Sequence, residues 1–219
     1  MQNIPRIFLN QNLDTGKVFP IDKEIVHYLR RVMRRDNCLV FNNGAEYQAR
    51  LSDDNKNIII GNQTNHLDPS NNIVLYFAPI KKIEDLLNMA TQMGVAVLQP
   101  VITDRTVAHH INWERQQKII IEASEQSNRN SIPKLLPPIK FDEIDLKNLI
   151  VADERFAHGK ENNQKIVRGN KILIGPEGGF SDSEFKKLDD AGVQGVSLGK
   201  TILRAELAAV IAISKVLDK

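Results

Sequence analysis

The chain of 219 residues has little of several things that mark particular classes of protein. Its only cysteine, Cys38, excludes an intrachain disulfide and fits a reducing compartment. No apolar run is long enough to span a membrane and no signal peptide is visible, so we expect a cytoplasmic protein. The five histidines lack the spacing of a metal site, which predicts that no metal is bound.

Aromatic residues and net charge are also scarce, at 5% of the residues and +2. The first scarcity argues against base stacking on an aromatic platform, and the second against a dense tail that binds polyanions. A local basic surface is still allowed. With 42% hydrophobic and 26% charged residues, the composition is that of a globular chain with one large or two small domains.

Residues 1–61 alternate short apolar stretches with turn signals, which is typical of a small β-rich, barrel-like domain. The predicted strands are Val18–Pro20, Cys38–Phe41 and Ile58–Ile60. One helix interrupts them, beginning near the N-cap residue Asp22. The polar segment 62–72 contains Pro69 and predicts a boundary, which gives domains of residues 1–68 and 72–219.

After residue 72, apolar strands alternate with helical patterns, which predicts an α/β domain with a mainly parallel sheet and helices on both sides. The predicted strands are 73–78, 95–98, 149–152 and 171–174, and the predicted helices are 83–93, 113–128, 182–191 and 203–217. Three prolines predict an extended connection at 131–145. One face of the last helix is apolar and fits either a core or a subunit contact; it consists of Leu203, Leu207, Val210, Ser214 and Leu217, with Ile211 beside it.

Two glycine-containing segments, Ile172–Phe180 and Leu198–Glu206, carry most of the functional signal. In each, an apolar run leads into a turn and then a helix, the arrangement with which open α/β proteins build ligand pockets. Gly178 and Gly179 permit positive φ and a close approach of ligand to backbone. The alternative is an ordinary turn, and neither a P-loop nor a dinucleotide fingerprint is present.

The exit of the first segment carries two helix-start signals. Ser181 and Glu184 have the spacing of a capping box, and Phe180 and Phe185 that of a hydrophobic staple. The helix that they begin should end near Gly192, a favoured residue just past a helix. These signals predict a loop that is held in place at its exit.

A basic strip is predicted on the helix that begins near Asp22. At 100° per residue one face is cationic and the opposite face apolar; these faces consist of Arg30, Arg31, Arg34 and Arg35, with His27 near them, and of Ile25, Leu29, Val32 and Met33. The strip is either a solvated surface or a phosphate-binding one, and arginine without lysine favours the second. Arg6, Arg105 and Arg129 are single cations, which are usually solvated.

The motif Gly175-Pro176-Glu177-Gly178-Gly179-Phe180-Ser181, followed by Leu198-Gly199-x-x-Ile202-Leu203-Arg204-x-Glu206, resembles the RsmE family of SPOUT-class ribosomal RNA methyltransferases. Weaker similarities follow the family order along nearly the whole chain, at Pro5–Phe8, His27–Arg34, Met93–Val95, Thr103–Arg105 and Glu122–Arg129. The resemblance implies a carboxyl-terminal SPOUT domain with a trefoil knot in its mainly parallel sheet. It also implies an amino-terminal PUA-like β-barrel and a homodimer with the active site near the subunit interface.

The resemblance further implies methylation of a uridine at ring nitrogen 3 in small-subunit ribosomal RNA, free or assembled, with S-adenosyl-L-methionine as cofactor. The implied cofactor-binding residues are Ile174, Gly175, Pro176, Glu177, Gly178, Gly179, Leu198, Gly199, Ile202 and Leu203. Arg204 would stabilise a uridine anion or position a phosphate, and Glu177 and Glu206 are alternative proton acceptors. The implied RNA contacts are Arg6, Arg30, Arg31, Arg34, Arg105 and Arg129.

The chain departs from the family pattern at Ala205 and Leu207, where threonines are common, and at Gln92, where glutamate is common. The two missing threonine hydroxyls argue against a mechanism that needs one of them. Two other functions stay open: a non-catalytic RNA-binding assembly factor, and a knotted methyltransferase that acts on a ribose hydroxyl or on transfer RNA. The intact first loop and Arg204 favour an enzyme over the assembly factor.

Overall fold

The computed structural model describes residues 4–69, 72–107, 111–160 and 170–217. The chain packs as two units, one formed by residues 1–69 with 121–132 and the other by 70–120 with 133–219. The packing units are not continuous in sequence, because residues 121–132 pack with the first. The domain limits of 1–68 and 72–219 therefore stay a prediction.

The first unit is built on a five-stranded sheet. Its elements are β1 (Arg6–Phe8), β2 (Val18–Pro20), α1 (Lys23–His27), β3 (Asn37–Asn42), β4 (Ala45–Leu51) and β5 (Asn57–Gln63). The strand order is β1-β3-β4-β5-β2, and only β1 and β3 pair in parallel. Alternate side chains such as Val40 and Ile58 fill the core, as period-2 strands require. The three predicted strands of this region are confirmed.

The helix of the first unit does not keep the regular period on which the basic strip was predicted. Asp22 caps it as expected, its Oδ1 accepting the Ile25 N–H at 2.8 Å. Beyond α1, however, Tyr28–Met33 forms π-helical turns, and Arg34 ends them with a φ of 54°. The wider turns alter the faces, so Leu29 is buried but Val32 is 60% exposed. The prediction that Val32 lies on the apolar face was therefore wrong.

Cys38 lies on β3 inside the core of the first unit. Burial raises the pKa of its thiol to about 12. Because the thiolate is the reactive form, Cys38 is chemically inert at neutral pH.

The second unit alternates strands and helices. Its elements are β6 (Val74–Phe77), α2 (Ile83–Gln92), β7 (Val97–Ile102), α3 (Trp113–Gln126, which ends in the segment that packs with the first unit), β8 (Lys134–Leu135), β9 (Ile139–Lys140), β10 (Leu149–Ala152), β11 (Lys171–Ile174), α4 (Asp182–Asp190), β12 (Gln194–Val196) and α5 (Ala205–Leu217). The strand order is β12-β10-β11-β6-β7-β8, β9 also pairs with β7, and every pairing is parallel. The predicted strands at 149–152 and 171–174 are confirmed with the same limits, and the extended connection at 131–145 contains β8 and β9.

Both faces of this parallel sheet are buried. Leu149, Val151 and Leu173 belong to one cluster, which also contains Phe185 and Leu188 of α4. The intervening Ile150 and Ile172 are fully buried, and alternation puts them on the other face. That face is covered by α5, which contacts β10 and β11 and packs on α2. The predicted α/β architecture with a mainly parallel sheet between helices is confirmed.

The last helix buries a different face from the one singled out in the sequence. Leu207 and Leu217 are 46% and 42% exposed. The buried face consists mainly of small residues, namely Ala205, Ala208, Ala209, Ala212, Ile213 and Val216. Alanines let the helix lie close to α2 and the sheet, whereas Leu207 and Leu217 point outward. The apolar face predicted from the sequence is therefore not the face that packs in the core.

Within the described ranges, no helix combines the length and the apolar composition needed to cross a bilayer.

Candidate active site

A cavity of about 500 Å³ lies at the carboxyl edge of the sheet in the second unit. β12, β10, β11 and β6 are neighbours in that sheet and run parallel, so their carboxyl ends meet at one edge. Residues that follow each of these strands line the cavity, including Lys81, Asp153, Gly175 and Leu198. Ligands of open α/β proteins bind at such an edge.

The first glycine loop, residues 175–180, leaves β11 and turns sharply at its middle. The Gly179 N–H donates to the Pro176 carbonyl at 2.9 Å, and Gly179 has a φ of 69°. Gly178 does not share this positive φ, so that prediction holds only for Gly179. A Cβ on Gly179 would also lie 1.9 Å from Oε1 of Glu154. The positive φ therefore favours glycine there, and a Cβ would in addition displace the Glu154 carboxylate.

The exit of the first glycine loop is fixed as the sequence indicated. Ser181 and Glu184 form the capping box, and the Phe180 and Phe185 rings meet edge to face with centroids 5.4 Å apart. Glu184 is buried, and its other oxygen accepts the Asp104 N–H at 2.9 Å.

The segment after β7 adds one further hydrogen bond to the first glycine loop and another to its exit. Ser181 Oγ donates to Asp104 Oδ2 at 2.6 Å, and the Arg105 guanidinium donates to the Gly178 carbonyl at 2.9 Å. The loop is thus held from outside as well as from within, which preorganises it.

The second glycine loop, residues 197–204, follows β12 and ends where α5 begins. Gly199 has a φ of 135°, which disfavours any residue with a Cβ. The Arg204 carbonyl accepts the Ala208 N–H at 2.8 Å, while its guanidinium is exposed and has no acceptor among the described residues. Glu206, in the first turn of α5, is partly buried and lines the cavity. A carboxylate there is stabilised by the helix dipole.

The two glycine loops therefore share one cavity. Of the sequence-derived site residues, those that line it are Ile174, Gly175, Pro176, Glu177, Leu198, Gly199, Ile202, Leu203, Arg204 and Glu206. Gly178 and Gly179 shape the turn behind the lining. Glu177 has a structural bond of its own, since its Oε1 accepts the Lys81 N–H at 2.9 Å and ties the loop to the segment after β6.

Four charged residues of the lining were missed, namely Lys81, Lys82, Asp153 and Glu154. A signal was available, because Asp153 and Glu154 directly follow the strand predicted at 149–152, and the lysines follow the one at 73–78. Parallel strands deliver the residues after them to one edge.

The pKa values of the adjacent carboxyl groups of Asp153 and Glu154 are shifted in opposite directions. Burial disfavours ionisation of Asp153, but hydrogen bonds from Arg155 and Lys160, at 2.8 and 2.9 Å, outweigh it and lower the pKa of this carboxyl. Burial is also the largest influence on Glu154 and raises the pKa of its carboxyl; the Asp153 charge adds to it, and His158, Arg105 and Arg155 oppose it. Asp153 is thus a stabilising ion-pair partner, whereas Glu154 faces the cavity.

The predicted RNA contact Arg105 lies beside the first glycine loop. A second cavity of about 440 Å³ adjoins it and is lined by Lys81, Arg105, Val107, Glu177 and Gly178. Lys81 and Glu177 line both cavities, so Arg105 is close to the candidate active site.

In the first unit, Arg30 and Arg31 line a cavity of about 770 Å³ with Lys23, His27 and Lys56. This cluster is cationic, although Arg30 is hydrogen-bonded to Asp36 and to Asn55. Arg34 does not line the cavity, because it lies in the left-handed turn that ends the π-helical segment.

Arg6 is not available to RNA, contrary to the prediction. Its side chain is only 7% exposed. All five N–H donors of the guanidinium are used inside the unit, by the Glu46 carboxylate, the carbonyls of Ser124, Glu125 and Arg129, and the Asn130 side chain. The group also stacks 4.5 Å from the Phe41 ring centre. Arg6 is therefore a structural residue.

Arg129 is an intermediate case. Its side chain is partly buried and bonds Ser131, and burial lowers the pKa of its guanidinium while the Asp68 charge opposes this. Its contact with RNA stays a prediction, and the residue belongs to the first unit.

No group of three or more potential metal ligands occurs within the described ranges, from which His109 and His110 are missing.

Comparison with known proteins gives a consistent result. Residues 68–217 match a family model described as an RNA methyltransferase domain. The chain is 33% identical to a ribosomal RNA small subunit methyltransferase E of Rickettsia conorii, over 96% of the chain and 94% of that protein. It is 27% identical to a protein of the same name from Bacillus subtilis, over 94% of the chain and 92% of that protein.

Among solved structures, a ribosomal RNA small subunit methyltransferase E from Neisseria gonorrhoeae bound to S-adenosyl methionine superposes with a TM-score of 0.84. The two are 29% identical, and the alignment covers 99% of this chain and 98% of that one.

Proposed function

Because this chain belongs to the RsmE family of ribosomal RNA methyltransferases, we propose that it methylates ring nitrogen 3 of a uridine in small-subunit ribosomal RNA. Methylation of ribosomal RNA with S-adenosyl-L-methionine is the activity of the family. Our proposal goes beyond that activity by naming uridine as the target base and N3 as the methylated atom. The observation that carries the proposal is the single cavity that both glycine loops line, with Arg204 and Glu206 at its wall.

The cavity fits the cofactor in size and in chemistry. A volume of about 500 Å³ is within the range of small-molecule sites. Backbone groups at Ile174, Gly175, Leu198, Gly199 and Ile202 would hold the cofactor, since the glycines leave the peptide N–H and C=O groups accessible. Apolar side chains and charges of both signs line the same cavity, which suits a ligand that combines an aromatic base with ammonium and carboxylate groups.

When bound, the cofactor supplies an electrophilic methyl group on a good leaving group. The chain must then bring the uridine into line with that methyl and remove the N3 proton. Arg204 is a donor only, and its exposed guanidinium would stabilise negative charge developing on the base. Glu206 lies two residues further along the chain, in the first turn of α5, and would accept the proton. Glu177 is less suited to that role, because its carboxylate already accepts the Lys81 N–H.

RNA binding would rest on two basic surfaces, one in each unit. In the first unit the cluster of Lys23, Arg30, Arg31 and Lys56 supplies positive charge for phosphates. In the second, Arg105 lies beside the first glycine loop. Arg34 and Arg129 are weaker candidates. The substrate is either free RNA or an assembled subunit. We propose to test the assembled subunit first.

Three structural features are proposed with the function. The side chains of Ile202, Leu207 and Leu217, in α5 and the loop before it, are exposed and apolar, and we propose that the homodimer forms there. Membership of the family is the ground for a trefoil knot in the second unit and a PUA-like barrel in the first, and the all-parallel sheet and the five-stranded sheet are compatible with them. We also expect the protein to act in the cytoplasm, where its substrate would be.

The test is methylation of small ribosomal subunits from a strain that lacks the modification, with labelled S-adenosylmethionine, followed by mapping of reverse-transcription stops. N3 methylation blocks Watson–Crick pairing, so we expect label incorporation and one new stop at a uridine. Arg204→Ala should lower the rate by about 10²- to 10³-fold, as expected for loss of a charge-stabilising donor.

Arg115→Ala is the matched control, because this arginine lies on the surface of the same unit, paired with Glu84 at 2.9 Å. Its rate should equal that of the wild type. Incorporation without a stop would move the target to a ribose hydroxyl and refute the N3 proposal. Tight binding of subunits without incorporation would favour a non-catalytic assembly factor.

A further inference from the structure

The Glu154 carboxylate rests against the backbone of the first glycine loop. Glu154 follows β10 and begins a short 3₁₀ turn, which the Arg155 N–H bond to Asp153 at 3.0 Å helps to fix. Its Oε1 lies only 1.9 Å from where a Cβ of Gly179 would stand. The carboxylate therefore occupies space that glycine leaves open, and it forms part of the cavity wall.

The other acidic side chains around this loop are already hydrogen-bonded. Asp153 holds Arg155 and Lys160, Glu177 accepts the Lys81 N–H, and Glu184 accepts two backbone N–H groups. For Glu154, the described part of the chain provides no hydrogen bond to the carboxylate. A half-buried carboxylate without a donor is destabilised relative to one in water. Its raised pKa has the same cause, which is burial.

We propose that the carboxylate of Glu154 binds the α-ammonium group of S-adenosylmethionine. The inference rests on the proposed placement of this cofactor in the cavity. The cofactor carries two cationic groups, but a sulfonium has no N–H, whereas an ammonium has three donors. The ribose hydroxyls and the adenine amino group of the cofactor are neutral donors, so the ammonium is its only cationic donor, and a charge-assisted bond of this kind is among the strong ones.

This assignment separates Glu154 from the residues that act on the transferred methyl group. The product S-adenosylhomocysteine keeps the α-ammonium and loses the sulfonium charge. A carboxylate that binds the ammonium therefore contributes equally to the affinities for cofactor and product. A carboxylate beside the sulfonium would favour the cofactor alone, and a proton acceptor would favour neither.

The test is isothermal titration calorimetry of wild type and Glu154→Gln with S-adenosylmethionine and with S-adenosylhomocysteine. Both dissociation constants should rise by the same factor, about 10- to 100-fold for a hydrogen bond to a charged group. A deaminated analogue of S-adenosylhomocysteine should bind wild type and variant equally, because it lacks the group that Glu154 contacts. Asp190→Asn is the control, since it removes one charge from an exposed pair with Lys186 and should leave all three constants unchanged.

A loss confined to S-adenosylmethionine would overturn the inference in favour of a sulfonium contact. Unchanged constants with a lower methylation rate would overturn it in favour of a proton acceptor. Either result leaves the proposed function standing. If the wild type binds neither ligand, the cofactor placement and the proposed function fail with the inference. Glu154→Asp, which keeps the charge but withdraws it by one methylene, should give an intermediate loss and guards against misfolding of the glutamine variant.

Discussion

The polar cluster around Arg6 in the first unit and the cavity of the second unit use the same residue types in opposite ways. In the cluster, every donor of Arg6 has an acceptor within the unit. In the cavity, the Arg204 guanidinium and the Glu154 carboxylate form no hydrogen bond with a side chain among the described residues, although Arg105, Arg155 and His158 act on Glu154 through their charges. Charged groups whose hydrogen bonds are complete stabilise the fold, and those left incomplete in a cavity are available to a ligand.

The largest effect expected from this comparison is on stability, from Arg6→Ala. Removing the guanidinium leaves Glu46 buried with an uncompensated charge, and breaking a buried pair in this way costs about 3–5 kcal/mol. Urea denaturation followed by circular dichroism should show this loss. Arg31→Ala, an exposed arginine of the same unit, should change the free energy of unfolding by less than about 0.5 kcal/mol. Equal losses in the two variants would contradict the contrast.

The next effect is on cofactor binding, from Gly179→Ala. An alanine at a φ of 69° costs about 1–2 kcal/mol, and its Cβ would displace the Glu154 carboxylate. We therefore expect a lower free energy of unfolding and cofactor affinity about 10-fold weaker, measured by calorimetry.

Gly192→Ala provides a matched control for that variant. Gly192 has nearly the same φ, 67°, but nothing lies within 4 Å of the position of its Cβ. It should lose similar stability and keep full cofactor affinity. If both variants bound the cofactor equally well, the contact between Gly179 and Glu154 would have no part in binding.

The smallest effect is expected from Ser181→Ala, at the exit of the first glycine loop. Loss of the N-cap should cost about 1 kcal/mol, detectable in the midpoint of thermal unfolding. Ser181→Thr keeps the hydroxyl that serves Glu184 and Asp104, so it should restore most of the loss. Failure of threonine to do so would mean that the cap is not the source of the stability.

Local signals predicted much of the second unit. The strands at 149–152 and 171–174 were correct to the residue, because continuous apolar runs bounded by polar residues or glycine define buried parallel strands. The capping box at Ser181 was equally clear, since both partners lie within one turn of helix. Both glycine loops lie at one cavity because parallel strands bring their ends together.

Long-range partners could not be predicted in the same way. Nothing local indicates that Arg6 finds four of its five acceptors more than 100 residues away in sequence, in the segment from Ser124 to Asn130. The π-helical turns after α1 depend on packing, which moved Val32 to the surface. On α5, nearly every face is apolar, so periodicity alone could not tell which face is buried.

The single, buried and un-ionised thiol of Cys38 has a practical consequence for labelling. At neutral pH it should resist maleimides, so a cysteine introduced elsewhere would be the sole reactive position without removal of the native one. Thr201, exposed at the rim of the cavity, is a suitable place for such a cysteine. A fluorophore or spin label there would report the arrival of cofactor or RNA in real time, on an otherwise unaltered protein.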